Sequence, residues 1–344
     1  MKTNEVERYE SINGLRAFSA IGIVLMHVLA NGGYTTSGFI FDKLIPSFTQ
    51  FVYLFMVISG FSLCCGYYFK ITNKQITMEQ FYSKRYAKIW PFFALLCLLD
   101  IVISPSMNSF YEVFANLTLC FGLLPNSQIS VIGVGWFIGV VFVFYFLFPF
   151  FCYLLSNKRR AWLSFFVAFT LKVLCAVYFF DAEHVPENFK MRHNFIFCAV
   201  FFYAGGLIFL YREWLIKLIK RYRSVVLVVC IISSVGVYAF ALSGNSNVLL
   251  VLFSFFLIYA IGTSGGVLQN SITRFLSGIS MEIYLCHMVI FRIIEKLHMT
   301  HMFASDELSY TVTSVGTVTG AIIFSVSVKK VLFVAKNKLT TIKI

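Results

Sequence analysis

The sequence predicts an all-α polytopic membrane bundle of about ten transmembrane helices, with both termini in the cytoplasm. Of its 344 residues, 59% are hydrophobic and 12% charged, against about 25% charged in an ordinary soluble domain. Apolar runs of about twenty residues recur along the chain, which is helix length and far from the ten-residue alternation of barrel strands. The basic residues also sort to one side of these runs.

The runs are 12–31, 47–69, 86–103, 131–155, 161–180, 194–211, 223–242, 247–265, 275–294 and 309–331. The first has no basic start and no small-residue cleavage site, and Glu5, Glu7 and Glu10 precede it, so it is expected to stay in the protein. The third follows a basic cluster at 70–88, the fifth follows Lys158-Arg159-Arg160, and five basic residues at 212–223 separate the sixth from the seventh. With the N-terminus inside, 21 of the 28 Lys and Arg fall on the cytoplasmic side, leaving Lys43, Lys190, Arg192, Arg292 and Lys296 outside and Arg16 and Lys172 within runs. This asymmetry fixes the expected orientation. It also reads the net charge of +13 as topology and contact with anionic lipids, with no nucleic-acid partner.

The longest connection, 104–130, holds "YEVFANLTLCFGLLP" at 111–125, apolar enough to dip into the membrane. A crossing there would put later basic clusters outside, so none is expected. No connection is long enough for a soluble domain, and residues 1–344 read as a single transmembrane domain. Eight of the nine cysteines lie within runs, without metal-ligand spacing, and read as buried thiols. The group Asp181–Glu183–His184 has no spacing that compels a metal, and no metal site is expected.

The polar residues inside the runs carry the chemistry. "INGLRAFSAIGIVLMHV" at 12–28 holds Arg16 and His27. An arginine at mid-membrane costs about 2.5–3.5 kcal/mol on insertion scales. The two are eleven residues apart, nearly three turns, so they share a face with Asn13, Ala20 and Ile23 and lie about 16 Å apart along the axis. Arginine offers a planar fork for phosphate that never loses its charge. Histidine, with an unperturbed pKa near 6.5, suits proton transfer. A base and an anion clamp on one helix are parts for group transfer from a phosphorylated donor; for His27 taken alone, an interhelical hydrogen bond is the bland reading. Arg85 and Lys88 are three apart and present two cations at the start of the third run, where ordinary anchoring is the bland reading. Glu282, Tyr284 and His287 lie in the ninth run, and Tyr284 and His287 are one turn apart.

These residues resemble those of the acyltransferase-3 membrane acyltransferases, which O-acetylate bacterial surface polysaccharides. Arg8, Ile12, Asn13, Gly14, Leu15, Arg16 and His27 match the first-helix pattern R-x-x-x-L-D-G-L-R and its histidine, with Asn13 in place of aspartate. "FVYLFMVISGFSL" at 51–63 resembles F-F-x-x-S-G-F through Ser59, Gly60 and Phe61. "FYSKRYAKIWPFF" at 81–93 resembles R-x-x-R-I-x-P, with Lys88 for the second arginine. "GWFIGVVFVFYFLFP" at 135–149 keeps Trp136, Phe144, Tyr145 and Pro149, while Val141 and Phe142 stand where many members carry glutamate. "LSGISMEIYLCH" at 276–287 aligns Leu276, Ser280, Ile283, Tyr284, Leu285 and His287.

The resemblance implies an integral membrane O-acyltransferase of the bacterial cytoplasmic (inner) membrane. Its donor would be acyl-CoA, most simply acetyl-CoA, with no bound cofactor. Its acceptor would be a hydroxyl of a cell-surface glycan or lipid-linked sugar. It places His27 and Arg16 in the catalytic machinery, His27 as general base or transient acyl carrier. Arg85, Lys88 and Asn13 would hold the donor, and Ser59, Gly60, Trp136, Tyr145, Glu282, Tyr284 and His287 would surround the cavity. The competing reading is a transporter or flippase of a lipid-linked sugar, with Arg16 and His27 on a substrate or proton path.

Overall fold

The computed structural model describes residues 9–103, 105–123, 131–180, 183–184 and 190–341. Among them stand eleven helices of eight residues or more: α1 (Ile12–Asn31), α2 (Phe51–Thr72), α3 (Met78–Ile103), α4 (Met107–Leu117), α5 (Trp136–Leu155), α6 (Lys158–Tyr178), α7 (Phe195–Ala239), α8 (Ser246–Gly262), α9 (Ser271–Gly278), α10 (Ser280–Lys296) and α11 (Asp306–Thr341). Short side chains set many of the starts. Asn157, Asn194, Asn245 and Asn270 each accept a hydrogen bond from the first-turn backbone of the helix that follows, answering amides that have no partner within the helix.

All ten predicted apolar runs fall on helices. Among the described residues six helices are long and apolar enough to cross a membrane, and α8 with α9 makes a seventh if that pair, bent by 94°, is one span. The predicted sixth and seventh runs share α7. Its 45 residues would extend about 67 Å, more than twice the roughly 30 Å of hydrocarbon. Tyr222, at φ −121° and ψ 31°, breaks it beside the basic segment, so α7 has two helical parts, one for each predicted run. The predicted run 275–294 is interrupted at Ile279, between α9 and α10. The connection after α3 folds as α4, whose 11 residues extend about 16 Å, too short to cross; Phe110, Tyr111 and Phe114 are exposed along it.

Aromatic side chains fill the interior. Phe61, Phe144, Phe148, Phe201, Phe202 and Phe209 are each 2% exposed or less, and Phe144 stacks on Phe202 at 4.1 Å between ring centres. Two glycines let α2 and α7 approach: a β-carbon at Gly60 would lie 2.2 Å from the Phe202 carbonyl oxygen, and one at Gly205 would lie 2.1 Å from that of Val57. Gly60, expected near the cavity, therefore serves this helix contact, because no larger residue fits. Trp162, Leu163 and Phe166 on α6 are exposed, the surface expected of a helix facing lipid. Lys172, the second cation within a run, is buried and donates to Asn247 Oδ1 on α8.

Candidate active site

Arg16, one turn into α1, donates through Nη2 to Ser62 Oγ on α2 at 2.8 Å. It borders a cavity of about 300 Å³ shared with Ser59, Lys88, Val141, Tyr145, Glu282 and Lys329. It also borders a shallower pocket with Asn13, Ser62 and Glu10, in which Asn13 Oδ1 accepts from Ser277 Oγ at 2.9 Å. Arg85 stands behind this wall. Its guanidinium lies over Tyr67 at 4.5 Å and near Tyr145 at 5.7 Å, donates to Tyr67 Oη, and keeps a buried Nε with no partner among the described residues. Arg16, Arg85, Lys329 and Glu282 all lie close enough to Lys88 to act on its charge. Four cations thus face one carboxylate, a field that favours a polyanion.

Lys329 was legible only as a topological charge. It stands on α11, far along the chain from the motifs, and folding brings its Nζ to 3.0 Å from Glu282 Oε1 and 2.9 Å from the Gly278 carbonyl oxygen. The intramembrane glutamate thereby gains its counter-ion.

His27 lies deeper on α1. Its Nδ1 is 3.1 Å from His287 Nε2 on α10 and 3.1 Å from the Ile23 carbonyl oxygen. His287 Nδ1 in turn lies 3.2 Å from the Ile283 carbonyl oxygen. For two neutral rings these partners assign the protons. A carbonyl only accepts, so His287 Nδ1 carries hydrogen and His287 Nε2 accepts. His27 Nδ1 must then donate, which leaves His27 Nε2 with a free lone pair. His27 borders a second cavity, of about 610 Å³, with Asn31, Leu96, Ile132, Val134, Arg292 and Lys296.

Arg16 and His27 do not share one cavity. Between them stand Phe55, Phe137 and Tyr284, whose rings lie 5.3–6.5 Å apart in a mutually packed group. Tyr284 is buried and donates to the Val134 carbonyl oxygen at 3.0 Å. Thus the Arg16 cavity ends on this wall, and Val134 borders the His27 cavity beyond it.

A family model described as an acyltransferase domain, Acyl_transf_3, matches residues 9–328. The chain belongs to the acyltransferase-3 family. No curated protein and no solved structure matches it.

Within this acyltransferase-3 chain the motif residues divide between the two cavities. Ser59, Tyr145 and Glu282 line the Arg16 side together with Lys88. Trp136 does not join them: it stacks on His193 at 4.3 Å and lies 5.6 Å from the Arg192 guanidinium. His193, in the loop before α7, is partly buried by that stack, and burial with the nearby charges of Arg192 and Lys190 pushes its pKa down to about 3. Val141 lines the Arg16 cavity, and Phe142 packs on Tyr86 at 4.4 Å. Arg8 and Asp181 lie outside the described residues. No cluster of three metal-ligating side chains occurs among the described residues.

Proposed function

We propose that this membrane acyltransferase moves an acetyl group from cytoplasmic acetyl-CoA to a hydroxyl of a glycan or lipid-linked sugar at the outer face of a bacterial cytoplasmic membrane. The arrangement of His27 carries the reading: a half-buried imidazole whose Nδ1–H is held by His287, leaving the Nε2 lone pair free on a ring that borders a cavity of substrate size. Arg16, Arg85, Lys88 and Lys329 are suited to the phosphates of the donor, at the end of the bundle that the basic-residue count places inside. Asn13 steadies this end through Ser277.

In the proposed step the acceptor oxygen attacks the thioester carbonyl carbon. The carbon–oxygen bond forms and the carbon–sulfur bond breaks. His27 Nε2 takes the hydroxyl proton and returns it to the leaving thiolate, so an ester and free thiol are produced. His287 holds the ring in the productive tautomer and stabilises it when protonated, as an orienting partner does for other catalytic histidines. The thioester reaches His27 only when the Phe55–Phe137–Tyr284 wall moves.

Acetyl transfer from labelled acetyl-CoA in membranes tests this. His27→Ala and Arg16→Ala proteins, inserted at wild-type level, are expected to lose at least about a hundredfold in rate, the lower end of a general base's contribution. His287→Gln is expected to lower kcat and shift its pH profile with little change in KM. Wild-type turnover by His27→Ala would refute the mechanism. A transporter would consume no acetyl-CoA at all.

A further inference from the structure

The predicted outer surface carries five cations, of which two line the His27 cavity and two more lie near the His27 ring. Arg292 and Lys296 line the cavity, while Arg192 and Lys190 lie close enough for their charges to act on the His27 imidazole. Lys43 is the exception, in the short helical segment between α1 and α2.

Their partners make this grouping informative. Arg292 is neutralised by Glu295 at 2.6 Å. Arg192, Lys190 and Lys296 have no carboxylate partner among the described residues. Arg192 is turned inward: Nη1 donates to Thr49 Oγ1 at 2.9 Å, the guanidinium lies near Trp136, and its buried Nε has no hydrogen-bond partner among the described residues. Shielding a charged donor from water without an acceptor is costly. Positive-inside topology disfavours cations on this face, and ordinary headgroup anchoring would spread them around the rim.

From this grouping we infer that the acceptor is an anionic glycan: its reacting hydroxyl enters the His27 cavity while a carboxylate or phosphate of the same molecule is held by Arg192, Lys190 and Lys296. This rests on the acetyl-transfer reading and specifies its substrate. Leu96, Leu99, Ile132, Val134, Met288 and Ile293 line the cavity with apolar surface, beside which a charge-assisted contact is stronger than one made in open water. Neutralising the acceptor's charge is also what allows it to enter a low-dielectric hollow. The acetylation step is unchanged: the glycan hydroxyl becomes an ester, its proton passes through His27 to the thiol, and the anionic group is retained.

The test uses the full-length protein in nanodiscs of neutral lipid, with labelled acetyl-CoA and three soluble acceptors: trigalacturonate, galactose 1-phosphate and uncharged galactotriose. At least one charged probe is expected to exceed galactotriose about tenfold in kcat/KM, the equivalent of one charge-assisted contact. Arg192→Gln combined with Lys296→Gln is expected to bring that preference within about threefold, and Lys43→Gln to preserve it. The arms separate a uronic-acid carboxylate from a phosphate as the recognised group. Equal use of galactotriose, a preference that survives the double substitution, or His27-dependent hydrolysis without transfer to either charged probe would overturn the inference. A preference appearing only when anionic lipid is added would assign the cations to headgroups and overturn it as well. Failure of the acetyl-transfer reading looks different: no His27-dependent turnover of acetyl-CoA with any acceptor or with water.

Discussion

His193 shows what a ring pays for burial. Its folded pKa of about 3 lies below the unfolded value near 6.5. Between these values the unfolded chain holds a proton that the folded chain does not, so stability falls as pH drops below about 6.5. The purified protein is expected to lose thermal stability between pH 7.5 and pH 5, and His193→Gln to lose less. Equal losses would mean that other groups dominate. The contact behind this, a stack on Trp136, was not legible in the sequence, where both residues read from their own segments. The pairing of His27 with His287 was invisible for the same reason, since 260 positions separate them. By contrast, the shared face of Arg16 and His27 follows from helical periodicity within one segment. The period left one matter open: two residues on one stripe, about 16 Å apart along the axis, can border different hollows.

Helix contacts depend on side chains that are absent as much as on those present. At Gly60 an added methyl would meet the Phe202 carbonyl oxygen, whereas a β-carbon at Gly66, also on α2, meets nothing within 4 Å. Gly60→Ala is expected to cost about 1–3 kcal/mol, as overpacked cores do, and Gly66→Ala almost nothing; unfolding of both variants in detergent checks this. Hydropathy made most of the fold legible, because helices in lipid must satisfy their own backbone and present apolar surface. It could not show that two runs belong to the continuous stretch of α7, or that the run at 275–294 breaks at Ile279, since both depend on local backbone angles. Nor could it show Lys329 beside Glu282, a contact made between α10 and α11.

At the scale of the whole bundle, the packed rings of Phe55, Phe137 and Tyr284 stand between the Arg16 cavity and the His27 cavity. A hydrogen bond contributes a net of about 0.5–1.5 kcal/mol. Tyr284→Phe, which removes the bond to Val134, is therefore expected to loosen the wall and raise acetyl-CoA hydrolysis without acceptor by about two- to tenfold. Unchanged hydrolysis would mean that the rings alone hold it shut.

The wall also has an electrical side. Any charge driven through an energised membrane exchanges about 2.3 kcal/mol per 100 mV with the field, and coenzyme A carries several negative charges. An acetyl group carries none. In the proposed reaction the polyanionic carrier stays in the cytosol while the small neutral fragment passes the aromatic layer. Each surface modification would then be made without discharging the voltage on which the cell runs.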